Sequence, residues 1–275
     1  MRISAKKALE SFLAEDIGEG DITSSLLPRK IISANLISRQ KGIVAGVKYA
    51  KEIFASRDCQ VKILKKDGTQ IRLNQRIMSI RGTAQAVLSC ERTALNLLSR
   101  MSGIATSTRL LVNKIQKVNP KVKLYSTRKT APGLRYFDKE AVEIGGGHKH
   151  RISLDQMIMI KDNHLAVAGS VYQLLEKARK KHKEIEVEVE NLHNAIVSAQ
   201  GGASIIMLDN MSPKEISKVV KTLKKLRLRK KVKLEASGGI DETNIQHYAK
   251  TGVDMISVGK ITSSVSGLDL SLEVS

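Results

Sequence analysis

The chain has 275 residues, 41% of them apolar, with four Pro, five Tyr, three Phe and no Trp. A chain of this length removes roughly three quarters of its unfolded surface on folding. It therefore needs no disulfide or metal to hold a core, and its composition excludes a disordered polymer. Its 47 Lys and Arg against 27 Asp and Glu leave a net charge of +20, which points to a nucleic acid, an anionic lipid or a phosphorylated small molecule. Cys59 and Cys90 have no CxxC or Cys/His cluster around them, as expected of reduced thiols. The amino terminus turns acidic where a signal peptide would be apolar, and no apolar run approaches the ~18 residues of a membrane span. A cytoplasmic protein without a membrane partner is expected.

Residues 3–13 space Ile3, Leu9, Phe12 and Leu13 as a helix does, and the segment from Asp16 to Asp21 ends it. Strand-like runs at 31–38, 43–47, 61–64 and 76–81, a helical stretch near 48–56 and a turn at Asp67-Gly68 give the first hundred residues an α+β pattern. From 85 to 118 Leu88, Leu95, Leu98, Met101, Leu110, Leu111, Ile115 and Val118 recur at helical spacing, with Gly103 as a break and domain boundary. Beyond residue 120, β-rich runs at 123–127, 157–161, 185–190, 205–209, 233–237 and 255–259 alternate with helical stretches. Such alternation implies parallel strands and right-handed crossovers, in a doubly wound sheet or a barrel. Nearly every run ends in a polar or glycine-rich group, and no GxGxxG follows the first. Working groups at the ends of successive strands favour the barrel.

Within IEVEVE, Glu186, Glu188 and Glu190 share one face of a strand and Ile185, Val187 and Val189 the other. Carboxylates facing a barrel interior need cations, and Arg128, Lys129, Arg151 and Lys161 stand at neighbouring strand ends. That mixture suits a phosphorylated substrate and Mg²⁺, which prefers oxygen ligands. In GGGHKHR (145–151), three glycines bring backbone N–H groups within reach of an anion while His148, His150 and Arg151 supply donors. A metal at the two histidines is the weaker reading, because no Cys or carboxylate lies nearby in the sequence. EASGG, with Gly238 and Gly239 opening a helix, is a candidate phosphate cradle. The basic runs at 177–183 and 221–233 read as solvated helix faces, the second above a stripe of Ile216, Val219, Val220, Leu223 and Leu226. Neither interleaves aromatics for base stacking, which weighs against a nucleic-acid-binding protein, the rival from another functional class.

The segments EDIGEGDIT, ERTALNLLSRMSGIAT, TRKTAPGLR, GGGHKHR, IKDNH, EVEVEN, MLDNMSP, EASGGI and GVDMISVG occur in an order and spacing that resembles the quinolinate phosphoribosyltransferase family across nearly the whole chain. The resemblance implies an open seven-stranded α/β barrel, residues 104–263, with an amino-terminal α+β sandwich domain, residues 1–103, completed by 264–275. It further implies a homodimer or larger even oligomer. The implied reaction joins quinolinate to phosphoribosyl pyrophosphate with Mg²⁺, giving nicotinate mononucleotide, pyrophosphate and CO₂ in de novo NAD biosynthesis.

By the same resemblance, Arg128, His150, Arg151 and Lys161 hold the quinolinate carboxylates, and Arg92 enters the neighbouring subunit's site. Lys129, Lys161, Glu188 and Asp209 are the catalytic set around phosphoribosyl pyrophosphate, with Glu188 and Asp209 near Mg²⁺, through water. Thr127, Ser237, Gly238, Gly239, Val258 and Gly259 complete the substrate pocket. Lys149 and Glu140 depart from the family's usual Asn and aromatic residue. The acidic pair followed by Thr and Gly of the other large phosphoribosyltransferase class is missing. The remaining alternatives on this fold are a molybdenum-transport-associated relative and a nicotinate phosphoribosyltransferase.

Overall fold

The computed structural model describes residues 5–181 and 184–275. Ile3 of the expected first helix, and His182 and Lys183 of the first basic run, lie outside them. The chain divides into two compact units, one of residues up to Arg109 with Thr130–Gly146 and Ile261–Ser275, the other of Leu110–Lys129 and Gly147–Lys260. In chain order the strands are β1 (Ile31–Ser38), β2 (Gly42–Ile43), β3 (Gln60–Ile63), β4 (Gln70–Ile71), β5 (Arg76–Thr83), β6 (Lys123–Tyr125), β7 (Ile158–Ile160), β8 (Ile185–Val189), β9 (Ile205–Asp209), β10 (Lys233–Ser237), β11 (Met255–Ser257) and β12 (Leu270–Val274).

In the first unit, β12, β1, β5 and β3 form an antiparallel sheet in that order, and β2 pairs with β4. The chain's end therefore adds an edge strand to β1, with Leu272 opposite Leu36. The run expected at 43–47 shortens to β2 because Gly46 takes a left-handed φ of 101° and starts the helix Val47–Ala55. The helices Ala5–Ile17 and Val47–Ala55 bury Leu9, Leu13, Ile53 and Phe54 in a core shared with Leu36, Ile80, Leu98 and Phe137.

Gly103 does not break the long helix, which runs unbroken from Ala84 to Gln116. A Cβ there would collide with the backbone carbonyl of Ser266, so glycine permits close packing of two chain segments. Glu140, the departure from the usual aromatic, forms an ion pair with Lys48 at 3.0 Å.

The second unit is a six-stranded parallel sheet in the order β6-β11-β10-β9-β8-β7. A single parallel bridge joins Tyr125, at the end of β6, to His148. Helices follow the strands because capping residues stand at the strand exits. Asn191 caps Leu192–Gln200, and Ser212 with Glu215 forms a capping box ahead of Pro213–Lys225. The latter buries Ile216, Val219, Val220 and Leu223. Leu226 leaves the expected apolar stripe and is half exposed, because the helix ends at Lys225. Lys214, Lys218, Lys221, Lys224 and Lys225 remain in solvent. Among the described residues, no helix is long and apolar enough to cross a membrane.

Candidate active site

Strand alternation decides which side chains meet. On β8, β9 and β10 the residues Val187, Val189, Ile206, Leu208, Leu234 and Ala236 are buried and apolar, and the polar groups Glu186, Glu188, Asp209, Glu235 and Ser237 all stand at the alternating positions, with Ile205 and Met207 between them. Met157, Ile205 and Met255 form a small apolar cluster with Tyr125 and Met159. Toward the carboxyl ends of the strands lies a cavity of about 360 Å³ lined by Thr127, Arg128, Lys129, His150, Arg151, Lys161, Glu188, Asp209 and Ser237, all expected from the sequence. Ser126, Met159, Met207, Glu235 and Ser257 also line it and were not expected. Of these, Met207, Glu235 and Ser257 continue the two-residue spacing of Asp209, Ser237 and Gly259, a signal the sequence held. Arg92 is exposed on the helix Ala84–Gln116 and is not among the lining residues.

Two guanidinium groups mark one wall. Burial, and then the proximity of Arg128, lowers the pKa of Arg151. Arg151 donates to the Met157 carbonyl at 3.3 Å and approaches the Met159 sulfur at 3.0 Å, and among the described residues no carboxylate is hydrogen-bonded to it. The Nε of Arg128 and the Oγ of Ser257 are buried with no hydrogen-bond partner among the described residues. Buried donors without acceptors are costly, and here they border a cavity that an anion could fill.

Lys161, at the exit of β7, forms an ion pair with Glu188 of β8, and both line the cavity. Asp209 ends β9 and accepts a hydrogen bond from the Asn210 amide at 2.7 Å. Asn210 itself has a left-handed φ of 54° and donates its backbone N–H to the Ser237 carbonyl at 2.9 Å. Gly238 and Gly239 do not open a helix, since the next one begins at Ile245. They form a turn with successive φ values of 88° and 61°, a left-handed backbone that glycine adopts without the cost of a side chain. Val258 is buried, and Gly259 lets the Lys129 stem pass where a Cβ would stand 3.1 Å from Lys129 Cδ.

GGGHKHR resolves differently from its sequence reading. Gly145 caps the helix Arg135–Ile144 and packs where a Cβ would lie 2.7 Å from the Ala105 carbonyl, a structural duty. His150, with a left-handed φ of 53°, is flanked by carboxylates that adjacency in sequence could not reveal. Its Nε2 lies 3.3 Å from Glu186 and 3.4 Å from Glu235, both fully buried. Burial alone would lower the His150 pKa, but the two carboxylates push it up to about 9. Burial raises Glu186 in turn. The cluster thus retains a proton that isolated groups would release near neutrality.

Two family models match successive parts of the chain: the N-terminal domain of quinolinate phosphoribosyl transferase over residues 21–102, and its C-terminal domain over 104–273. A probable nicotinate-nucleotide pyrophosphorylase [carboxylating] of Archaeoglobus fulgidus is 45% identical, covering 93% of this chain and 98% of the relative. The rat nicotinate-nucleotide pyrophosphorylase [carboxylating] is 34% identical, covering 96% of this chain and 89% of the relative. The solved nicotinate-nucleotide pyrophosphorylase of Francisella tularensis superposes with a TM-score of 0.92 at 40% identity, over all of this chain and 98% of that one. A human nicotinic acid phosphoribosyltransferase, at 13% identity and a TM-score of 0.60, shares the fold alone. With both domains matched, the chain belongs to the quinolinate phosphoribosyl transferase family.

Proposed function

We propose that the chain transfers the phosphoribosyl group of phosphoribosyl pyrophosphate to quinolinate and removes one carboxylate, giving nicotinate mononucleotide, pyrophosphate and CO₂ for NAD biosynthesis. The observation that carries this reading is the pair Arg128 and Arg151 on one cavity wall, with Arg128 Nε buried and unpartnered. A dicarboxylate neutralises both guanidinium groups, whereas nicotinate, with one carboxylate, leaves a buried charge uncompensated. Lys161 adds a third cation, which its pairing with Glu188 keeps aimed at the cavity.

On this reading the Ser237-Gly238-Gly239 turn, with Val258 and Gly259 beside it, cradles the 5′-phosphate. Thr127 and Lys129 face the same pocket, and the Lys129 and Lys161 ammonium groups bind the departing pyrophosphate. Glu188 and Asp209 offer half-buried oxygen donors on adjacent strands, a set that fits Mg²⁺ with several of its waters retained. Mg²⁺ bound there would neutralise charge on the pyrophosphate. Met159 and Met207 give the pyridine ring an apolar bed and keep water from its carboxylates. The pyridine nitrogen attacks the anomeric carbon as pyrophosphate leaves, the cationic ring nitrogen then stabilises the electron pair that departing CO₂ leaves on C2, and a proton from water completes the C2–H bond. Positioning and fixed charge supply the rate, and no covalent enzyme intermediate is needed.

The finer architecture we read as an open seven-stranded barrel beside an α+β sandwich, in an assembly where Arg92 enters a neighbouring copy's cavity. The bridge from Tyr125 to His148 supports a seventh strand position next to β6, and the exposure of Arg92 leaves it available to another copy. Free, buried Cys59 and Cys90 support a reducing, cytoplasmic setting. The test of function is release of labelled CO₂ from quinolinate by purified protein with phosphoribosyl pyrophosphate and Mg²⁺. Turnover of nicotinate without that release would overturn the assignment.

A further inference from the structure

Glu186 and Glu235 are carboxylates at 0% exposure, yet neither belongs to the catalytic set proposed above. They come from β8 and β10, on either side of β9, and converge on one imidazole. The three ligand-type atoms lie within 4.8 Å of one another, a spacing that a cation or a shared proton could occupy. The other ring nitrogen separates the two. Nδ1 accepts the backbone N–H of Arg151 at 2.8 Å, so Nδ1 carries the lone pair and Nε2 the hydrogen, and the further proton that the cluster holds at neutral pH lies on its carboxylates, where burial favours the neutral form. A metal would need the lone pair on Nε2 and a donor hydrogen on Nδ1, the reverse of this arrangement. The cluster is therefore built for a proton.

The same contacts tie the ring to the cavity wall. Tyr125 packs edge-on against His150, with ring centroids 5.9 Å apart, and stacks on His148 at 4.9 Å. Ser126 N–H donates to the His148 carbonyl at 3.0 Å and Ser126 Oγ to the Lys149 carbonyl at 3.1 Å, so the loop is docked along the end of β6. His150 Nε2 sits within ion-pair distance of both carboxylates, without an aligned hydrogen bond to either. Its left-handed backbone is a strained conformation that persists only where its surroundings enforce it.

We propose that Glu186 and Glu235 are positioning residues, which clamp the His150 ring through Nε2 and thereby fix, through Nδ1, the Arg151 peptide whose guanidinium binds a substrate carboxylate. Gripping from two strands leaves the ring one orientation, and the Arg151 side chain leaves the loop in one direction. This rests on the reading of Arg151 as a quinolinate ligand. It gives His150 a further part, as the link between a buried carboxylate pair and an arginine.

The test uses Glu186→Ala, Glu235→Ala and their Gln counterparts in the full-length protein, with steady-state kinetics and ¹⁵N-histidine NMR. The Ala variants should raise KM for quinolinate by about tenfold or more, with KM for phosphoribosyl pyrophosphate changed less than about twofold. The Gln variants, which keep a carbonyl acceptor and the side-chain volume, should recover part of that loss. In the wild type the His150 signals should report hydrogen on Nε2 and none on Nδ1, a pattern lost in the Ala variants. Equal rises in both KM values alongside unchanged histidine signals would reduce the pair to general structural support and overturn the proposal. So would wild-type kinetics in every variant. If the wild type turns over no quinolinate while its histidine signals respond as stated, the clamp stands and the substrate assignment falls. Should the Ala variants fail to fold, the Gln variants carry the same comparison.

Discussion

Asn210 and Gly238 occupy each other's only available space: a Cβ on Gly238 would stand 2.6 Å from the Asn210 backbone nitrogen, the atom that donates to the Ser237 carbonyl. Asn210 also holds the Asp209 carboxylate, so the turn after β10 and the carboxylate ending β9 move together. Gly238→Ala should therefore displace Asn210 as well as strain a φ of 88°, at about 1–3 kcal/mol of stability. KM for phosphoribosyl pyrophosphate should rise ~10-fold or more. Gly239→Ala meets no atom within 4 Å and should pay only the left-handed strain of about 1–2 kcal/mol. Thermal melts and kinetics on both variants test the ranking, and equal effects would contradict it.

Arg128 and Arg151 lie close enough to repel, and among the described residues no carboxylate is hydrogen-bonded to either, so a bound dicarboxylate should relieve that repulsion. Arg128→Gln should leave the ligand-free melting temperature unchanged or raised. It should raise KM for quinolinate on the order of 10²-fold, the scale of losing a buried ionic partner. Quinolinate should stabilise the wild type and not the variant, as read by melting with and without ligand. A ligand-free variant much less stable than the wild type would mean that the pair is structural.

What the sequence disclosed about the site followed from short-range rules. Alternation placed Lys161, Glu188, Asp209 and Ser237 at strand exits, and all four line the cavity. What stayed hidden needed contacts between distant segments. Glu186 and Glu235 bracket His150 from 36 and 85 residues further along the chain, so no local pattern joined them. Gly103 looked like a break because helix propensity counts the missing side chain and cannot count Ser266 packed against it. β4 was missed because two residues, Gln70 and Ile71, carry no periodicity. Met159 packs against the small apolar cluster and Met207 is buried, and both also line the cavity, since the same face of the sheet serves both.

The His150 cluster sets an alkaline limit. Its protons bind more tightly in the fold than in the unfolded chain, so the stabilisation is complete below the ordinary histidine pKa of ~6.5. It is lost as pH rises through about 9. Glu186, also raised, acts in the same direction. Melting temperature should fall between pH 6.5 and 9.5. In a Glu186→Gln, Glu235→Gln double variant only burial acts on His150, which lowers its pKa and reverses the slope near neutrality. Parallel melting profiles for the two proteins would rule out this cluster as the cause.

In the first unit Asp138, fully buried, accepts two hydrogen bonds from Arg100, at 2.8 and 2.9 Å. Asp138→Ala leaves the guanidinium without its counter-ion and should cost about 3–5 kcal/mol in urea unfolding. Lys48→Ala breaks a half-exposed pair with Glu140 and should cost much less. A loss at Asp138 no larger than at Lys48 would show that solvent reaches Arg100 freely.

The proposed assembly makes a prediction no single chain can satisfy. Arg92 is exposed on its helix and Lys161 lines the cavity, so if Arg92 serves a neighbouring copy, the two defects belong to different composite sites. Arg92→Ala and Lys161→Ala homo-oligomers should each be nearly inactive. Mixed and allowed to exchange subunits, they form hetero-oligomers in which one cavity combines an intact Lys161 with an intact Arg92 from the partner, while the other carries both defects. For a statistically mixed dimer, half the molecules are hetero-oligomers with one working site of two, so about a quarter of wild-type activity should return. Exchange is verified with differently tagged chains recovered together. Recovery near that fraction requires Arg92 to act in trans, and co-purification without recovery would assign it to its own subunit's surface.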